Sequence, residues 1–403
     1  MISDLYLYDA VRTPRGKGSA KGALAALAPE ELIAQLISAL SRRCGEDAIR
    51  SSASLTLGCV GQVDAQGGHL ALISALHAGL PHTMAKLTVN NFCVSGLSAI
   101  ASAARDASGS GDDRLRIAGG VEMMSAVPFM ADRASYYTDT QTARRLRYAP
   151  VALAADLMAT REAIPKTELD RVTARSHQRA AAAQARDDAP EIITVCGPDG
   201  ETRLAKDESV RADFTEDRLS AFPPAFAELG AEGYDAMMSE AALGGAAVDH
   251  VHSLANCPPP ADGAALALIG SRAAGRAAGL APKARIRALV QSAGDPVVQL
   301  TAGFAAMDAA LDQAGSSLGD MDRIEFMEAF AAPVVRFERV YKPDPDRVNP
   351  DGGHLAMGHP MGASGAILAT TLLAGLERCG GALGLAVAHG GSGVGAALVL
   401  ERV

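Results

Sequence analysis

The sequence predicts an α/β fold in which helices cover a buried and largely parallel sheet. Short runs of β-branched and aliphatic residues alternate with longer Ala/Leu-rich runs of helical period, a pattern typical of βαβ units. The 403 residues are 48% apolar and 21% charged, a composition found in compact globular chains rather than disordered ones. Because aromatic residues make up only 4% and glycine occurs 41 times, we expect a core of small and aliphatic side chains.

The alternation occurs in the first and again in the last third of the chain. In the first third, strands are predicted at residues 2–9, 54–60, 86–89 and 115–118, the last ending at a Gly-Gly pair, and helices at 29–43, 67–79 and 93–106. In the last third, strands are predicted at 284–291, 323–327, 383–388 and 396–400, and helices at 303–315 and 362–378. The shared element order indicates a duplication, although the two thirds have almost no residues in common.

Residues 125–250, between these thirds, are more charged and more often interrupted by proline, with one amphipathic helix at 168–186. A structureless loop of this length is improbable, so the segment is predicted to be a folded excursion from the core. The charge-free segment 380–400 contains seven glycines. It predicts two short strands around a glycine turn rather than a membrane span.

Charge and terminal segments exclude several classes of partner. With 37 basic and 46 acidic residues the net charge is −9, which argues against nucleic acid or an anionic membrane as a ligand. The N-terminal MISDL has no basic leader, and the C-terminal ERV is not a peroxisomal signal. Six cysteines without a CxxC pair are typical of reduced thiols, so a cytoplasmic protein is expected.

Three segments contain residues that suit catalysis, and the first is NNFCVSG at 90–96. It follows a predicted strand and precedes a predicted helix, so Cys93 is expected at a helix N-terminus, where the thiolate is favoured. The alternative is an inert buried cysteine. The strand-end position and the small neighbours favour a nucleophile.

The second segment is the glycine-rich stretch 349–365, which contains His354 and His359 ahead of a predicted helix. A histidine held there can serve as a general base or donate a hydrogen bond to an oxyanion. A phosphate cradle is the alternative, but no P-loop lysine follows. A metal site formed by these histidines and His389 is not favoured, because no carboxylate or cysteine completes a known spacing.

The third segment is HGGSGVG at 389–395, between two apolar runs. Its glycines leave backbone N–H groups free to face a substrate oxygen, and the imidazole of His389 is a candidate acid and base. A tight hairpin with an incidental histidine is an equally good interpretation of this segment alone.

In this order and at these distances, the three segments resemble the thiolase family, the acetyl-CoA C-acyltransferases. The resemblance extends over nearly the whole chain. Further segments similar to family motifs are DAVRTP (9–14), GGVEMMS (119–125), DESVR (207–211), DGAA (262–265), EAF (328–330) and GHP (358–360).

The resemblance implies two similar βαβαβαββ halves stacked as a five-layered α-β-α-β-α core. The N-terminal half would comprise residues 1–124, completed by about 251–275, and the C-terminal half residues 276–403. Residues 125–250 would form a loop domain over the active site. It also implies a homodimer or homotetramer that acts on acyl-CoA thioesters and needs no cofactor.

The same resemblance assigns roles to individual residues. Cys93 would be the acyl-accepting nucleophile, and His359 would activate it and help to form an oxyanion hole. The backbone N–H groups of Cys93 and Gly391 would form a second oxyanion hole. Residues expected to contact substrate are Arg211, Met327, Ala329 and Phe330.

Four positions depart from the family pattern. Met327 replaces an asparagine whose amide holds a water in the oxyanion hole, and loss of such a donor typically costs on the order of a hundredfold in rate. His389 replaces the second catalytic cysteine and is assigned its acid and base role. CPPP at 257–260 replaces a Ser-Gly region that contacts pantetheine. His354 occupies a position usually given to a small residue.

Three interpretations therefore remain. The first is an acyl-CoA acyltransferase, catalysing thiolysis of 3-ketoacyl-CoA or the reverse Claisen condensation with Cys93, His359 and His389. The second is a condensing or acyl-transfer enzyme with another donor, such as a malonyl or carrier-bound thioester. The third is a non-catalytic partner subunit. The first is preferred, because Cys93 and His359 both lie in intact motifs.

Overall fold

The computed structural model describes residues 4–403, so the beginning of the predicted strand 2–9 lies outside the described residues. The strands are β1 (Leu5–Arg12), β2 (Gly16–Lys17), β3 (Ser54–Gly58), β4 (Ala85–Val89), β5 (Arg116–Met123), β6 (Val195–Cys196), β7 (Thr202–Leu204), β8 (Ala261–Ser271), β9 (Ala284–Ala293), β10 (Arg323–Phe326), β11 (Leu383–Gly390) and β12 (Val394–Arg402).

The helices are α1 (Pro29–Cys44), α2 (Glu46–Arg50), α3 (Leu70–His77), α4 (Ser95–Gly109), α5 (Ser135–Thr138), α6 (Thr140–Arg145), α7 (Val151–Arg161), α8 (Lys166–Arg186), α9 (Glu216–Ser220), α10 (Ala227–Leu229), α11 (Asp235–Ala242), α12 (Arg272–Ala277), α13 (Ala302–Ala314), α14 (Ala331–Tyr341), α15 (His354–Met357) and α16 (Met361–Cys379). Among the residues described, none of these helices combines the length and the apolar character needed to cross a membrane.

One large sheet runs through the molecule in the order β10-β11-β12-β9-β1-β8-β5-β3-β4, with β2 paired to β8. Its two halves meet where Tyr6 and Leu7 of β1 pair with Arg285 and Ala284 of β9. The prediction of a largely parallel sheet is wrong. Among the strands of residues 4–403, only the β3–β4, β3–β5 and β10–β11 pairs are parallel, because β8 and β12 each enter the sheet antiparallel to both of their neighbours and β1 pairs antiparallel with β9.

Helices lie on both faces of each half of the sheet. Helices α4 and α16 pack against each other and contact strands of both halves, so they form a middle layer. Helices α1 and α3 cover the outer face of the N-terminal half, and α13 covers the outer face of the C-terminal half. Side chains of β1 alternate accordingly, with Leu5 and Leu7 in the middle layer and Tyr6 and Tyr8 in the outer one. The result is the expected thiolase-like sequence of layers.

Several boundaries differ from the predictions for identifiable reasons. Strand β5 does not end at the Gly-Gly pair but continues to Met123, since Gly119 and Gly120 provide space for the backbones of β8 and α16. Helix α4 begins at Ser95, two residues after Cys93, which agrees with a predicted start at or near Cys93. Strand β8 and helices α7 and α14 were not predicted. The sequences of β8 and α7 are alanine-rich or almost uniformly apolar and show little periodicity, whereas α14 is amphipathic and was missed.

Residues 125–250 contain helices α5 to α11 and are tied to the C-terminal half by ion pairs. Arg171 and Arg175 of α8 both contact Glu338 of α14, and Arg339 contacts Glu168. Pairs between partly exposed groups contribute little each, so we regard them as fixing orientation rather than stability. The segment therefore lies against the helix that follows residues 328–330.

Candidate active site

Cys93 lies in a turn between β4 and α4. The Ser95 hydroxyl donates to the Phe92 carbonyl at 2.6 Å and accepts the Asn91 N–H at 2.8 Å, which fixes the turn. Burial raises the pKa of the Cys93 thiol to about 11, although the N–H groups of Gly391 and of Cys93 itself face the sulfur and oppose the rise. The raised pKa contradicts the expected preference for thiolate, and a nucleophilic role of Cys93 would require a base to accept the thiol proton.

His359 has the properties of that base. Its Nδ1 is 2.7 Å from the Ser364 hydroxyl, which in turn donates to the Pro360 carbonyl at 3.3 Å. The hydroxyl therefore accepts the Nδ1 proton, and we assign the lone pair of the neutral ring to Nε2, which has no partner among the described residues. Burial and, second, the charge of Arg15 lower the pKa of His359 to about 3. The imidazole is neutral at physiological pH.

A cavity of about 180 Å³ brings these two residues together. Of the predicted site residues, Cys93, His359, Gly391, Ala329 and Phe330 line it. Its remaining wall is mostly apolar and consists of Met124, Phe129, Val151, Cys257, Pro258, Pro260, Leu300, Met361 and Gly390. A nucleophile, a neutral base and a backbone donor thus face one narrow apolar space, which suits attack on a thioester or ketone carbonyl.

His389 is not part of this wall. It lies within β11, where Gly390 faces Cys93 closely enough that a Cβ on Gly390 would be 3.2 Å from the Cys93 Cβ. Since side chains alternate along a strand, the His389 ring projects from the opposite face. There its centroid is 5.2 Å from that of Phe326, and Gly303 provides the space it fills. Its predicted role as acid and base stays a prediction, and in this orientation the ring does not reach the cavity.

Met327 and Arg211 also lie away from the cavity. The Met327 side chain is fully buried in the core, and its N–H donates to the Val387 carbonyl. Arg211 lines a second cavity of about 470 Å³, together with Lys17, and its guanidinium lies 5.0 Å from the centroid of the Phe214 ring. The two cavities share Cys257 and Pro260 as wall residues, so they are neighbours across the 257–260 segment.

Three residues near the site make contacts that the sequence analysis did not predict. The buried Glu122 carboxylate accepts N–H groups of Val60, Gly61 and Gly362, and so joins the ends of β3 and β5 to the start of α16. Ser364 fixes the His359 ring. His354 packs edge-on against His359, with centroids 5.3 Å apart, and within residues 4–403 its ring nitrogens have no partner. The role of Ser364 could have been predicted from the sequence, because a hydroxyl in the first turn of the helix after the histidine loop can reach the imidazole.

This duplicated core, with a cysteine at the end of one strand and a histidine loop before a helix facing it, defines the thiolase class. The chain belongs to the thiolase family: the model of the thiolase N-terminal domain matches residues 5–248, and that of the C-terminal domain matches residues 280–402. The protein is therefore an acyl-CoA acyltransferase.

Curated relatives cover the chain from end to end. It is 36% identical to a 3-ketoacyl-CoA thiolase of Erwinia tasmaniensis and 34% identical to one of Idiomarina loihiensis, and each match covers all of both chains. A steroid 3-ketoacyl-CoA thiolase of Mycobacterium tuberculosis is 33% identical over all of this chain and 95% of its own.

The buried histidines predict a loss of stability in mild acid. Burial lowers the pKa of His389 to about 3, and the pKa values of His359 and His354 are lowered too. The unfolded chain binds these protons first, so the stabilisation is complete above about pH 6.5 and is lost as pH falls towards 3. Each buried histidine should lower the free energy of unfolding by about 1.4 kcal/mol when the pH falls from 7.5 to 5.5.

The measurement is urea unfolding at pH 7.5 and 5.5 for the wild type and His389→Phe, whose ring suits the contact with Phe326. The difference in unfolding free energy between the two pH values should shrink by about 1.4 kcal/mol in the variant. His82→Asn, at an exposed position, is the matched control and should leave it unchanged. The same difference in all three proteins would contradict the prediction.

Proposed function

We propose that the protein catalyses thiolysis of 3-ketoacyl-CoA, and the reverse Claisen condensation, through an acyl-enzyme on Cys93. The observation that carries this proposal is that Cys93 and His359, whose Nε2 has no hydrogen-bond partner among the described residues, line one apolar cavity, with the Gly391 N–H directed at the sulfur. The names of the full-length relatives support 3-ketoacyl-CoA as the substrate class.

In the thiolysis direction, His359 Nε2 takes the proton of the Cys93 thiol, and the thiolate attacks C3 of the substrate. The resulting oxyanion accepts hydrogen bonds from the N–H groups of Cys93 and Gly391. The C2–C3 bond then breaks, its electron pair stays on C2, and protonation of C2 releases acetyl-CoA. Finally the thiol of a second CoA attacks the acyl-cysteine, the acyl group leaves as the shortened acyl-CoA, and the proton of the CoA thiol passes to the Cys93 sulfur, which restores the free enzyme.

The reaction also requires an acid that protonates C2. We retain His389 as the proposed acid: in its buried position its pKa is lowered to about 3, but an imidazole that leaves that position can exchange a proton near neutral pH. For this role the ring must leave its contact with Phe326 and turn towards the cavity, through a change in the Gly-rich turn that follows β11. His359, already protonated by Cys93, is the alternative donor.

The second cavity is our proposed site for the nucleotide end of CoA. Lys17 and Arg211 line it and supply cations for phosphate groups. Between the two cavities, Pro258, Pro259 and Pro260 have no N–H to donate, so the pantetheine arm would be held there mainly by apolar contact. The Pro259 carbonyl already accepts a hydrogen bond from the backbone N–H of His359 at 3.0 Å, so it is not free to bind pantetheine.

Mass spectrometry of the intact protein tests the proposal. After incubation with acetoacetyl-CoA and with longer 3-ketoacyl-CoAs, we expect release of acetyl-CoA and a mass increase equal to one acyl group, located on Cys93. Addition of free CoA should then remove that group as the shortened acyl-CoA. Acylation with CO₂ release from a malonyl thioester, without thiolysis, would indicate the other-donor enzyme instead. If no thioester forms an adduct with the protein, the proposal is refuted and the interpretation as a non-catalytic partner subunit is the one that remains.

We propose that the chain forms a homo-oligomer through the edge of the sheet at β4. This strand is the last in the sheet, and Leu87 on it is 44% exposed. Helix α3 beside it exposes three more apolar side chains, those of Leu72, Ile73 and Leu76. Two copies of an edge strand can pair antiparallel about a twofold axis, which covers both edges and both apolar faces at once.

Light scattering coupled to size exclusion measures this association. Leu87→Lys, which places a charge on the edge, should lower the measured mass to that of one chain. Val340→Lys is the matched control, because Val340 is also exposed but lies on α14, and it should keep the oligomer mass. An unchanged mass for Leu87→Lys would place the interface elsewhere.

We propose the cytoplasm as the compartment. All six cysteines are free thiols, as expected in a reducing environment. Fractionation of cells that produce the protein tests the proposal, and recovery from an oxidising compartment would refute it.

A further inference from the structure

A buried cluster of one carboxylate and two histidines lies outside the cavity. The Asp156 carboxylate on α7 is fully buried and accepts from Nδ1 of His250 at 2.8 Å and from Nδ1 of His252 at 2.7 Å. It also accepts the backbone N–H groups of Val251 at 3.2 Å and His252 at 3.0 Å. One carboxylate therefore fixes the whole turn 250–252 to α7, and the proposed reaction does not use it.

The other nitrogen of the His252 ring reaches a third element. Its Nε2 accepts the N–H of Ala332 at 3.3 Å, in the first turn of α14. That N–H has no acceptor within its helix, and the N-cap residue Phe330 offers no side-chain cap. The imidazole of His252 therefore caps the helix. Because Nε2 accepts, the ring proton is on Nδ1 and is donated to Asp156.

Each of the three joined elements supplies part of the cavity wall. Val151 is the first residue of α7, residues 257–260 follow the turn 250–252, and Ala329 with Phe330 immediately precede α14. The His252 ring also packs against the Phe330 ring at 90°, with centroids 6.0 Å apart. A shift of His252 would therefore move wall segments that are far apart in the sequence.

We propose that His252 and Asp156 are positioning residues that hold the apolar wall of the cavity in the form that binds the acyl thioester. This inference rests on the proposed function, since it assumes that the cavity receives the acyl end of an acyl-CoA. The pair acts through Phe330 and the 257–260 segment and touches no reacting atom.

Two substitutions separate the hydrogen bonds of His252 from its packing. His252→Phe keeps an aromatic ring beside Phe330 but removes both hydrogen bonds. His252→Gln places a side-chain oxygen near the position of Nε2, where it can accept the Ala332 N–H. His250→Phe is the matched control, because it also removes a hydrogen bond to Asp156 but has no bond to α14.

Binding is measured by calorimetry of acetyl-CoA with proteins that all carry Cys93→Ala, so that no turnover is needed. We expect His252→Phe to weaken binding about tenfold, since a buried N–H loses its acceptor. His252→Gln should bind within about threefold of the parent, and His250→Phe should bind like the parent. If His252 had a role in folding alone, His252→Phe would lower the melting temperature, but the affinities of the three variants for acetyl-CoA would not differ in this order.

The outcomes distinguish the two proposals. If the parent Cys93→Ala protein does not bind acetyl-CoA, the proposed function fails. If the parent binds and His252→Phe binds equally well, the positioning role is refuted while the proposed function stands. Equal weakening by His252→Phe and His250→Phe would also refute it, because the contact with α14 would then not matter.

Discussion

Replacing Cys93 with alanine should reduce thiolysis of 3-ketoacyl-CoA by about 10⁴-fold or more, since removal of a covalent nucleophile leaves only binding and oxyanion contacts. No other residue on the cavity wall can take over as the nucleophile. Cys257, the other thiol on its wall, has its sulfur 3.4 Å from the Ser253 carbonyl, and burial raises the pKa of that thiol further than that of Cys93. Steady-state thiolysis and the mass of the acyl-enzyme are the two measurements.

Cys257→Ala is the matched control for this prediction. It removes a thiol of similar exposure from the same wall, and it should keep both the acyl adduct and activity within a few-fold of the wild type. The prediction fails if Cys93→Ala still gains an acyl group, or if the two variants lose activity equally. Either result would move the nucleophile away from the turn before α4.

Replacing His359 with alanine should lower the rate of Cys93 acylation by about 10²- to 10⁴-fold, the usual contribution of a general base. The physical reason is the buried thiol: because its pKa is raised to about 11, a very small fraction is thiolate at pH 7. Single-turnover acylation and the pH dependence of Cys93 alkylation by iodoacetamide measure the effect. In the variant, alkylation should require a more alkaline pH.

Ser364→Ala provides a graded comparison for His359. It removes the hydroxyl that accepts the Nδ1 proton and leaves the ring in place, so we expect a loss of about tenfold and a pH profile close to that of the wild type. Acylation by His359→Ala at the wild-type rate would show that another group accepts the thiol proton. A larger loss of acylation rate in Ser364→Ala than in His359→Ala would contradict the assignment of His359 as the base and of Ser364 as the residue that orients it.

The structure brings together some, but not all, of the candidate catalytic residues that the motifs indicated. Cys93, His359 and Gly391 meet at one cavity, because each lies in a short loop at a strand end or before a helix, and the sheet brings those ends to one edge. His389 belongs to the same family motif as Gly391 but does not meet these residues, since it lies two residues before Gly391, inside β11. Which face of β11 it occupies depends on the register of pairing with β12.

The sequence by itself determined the α/β class, the positions of most strands and helices, the family, and the cysteine and histidine that face the cavity, because local periodicity and motif order depend on residues near in the chain. Tertiary structure decided the direction of the strands, the raised pKa of the Cys93 thiol, the orientation of His389, and the link from Asp156 through His252 to α14. These depend on burial and on contacts between distant segments. Such contacts leave no periodic pattern in the sequence, so only the packed chain reveals them.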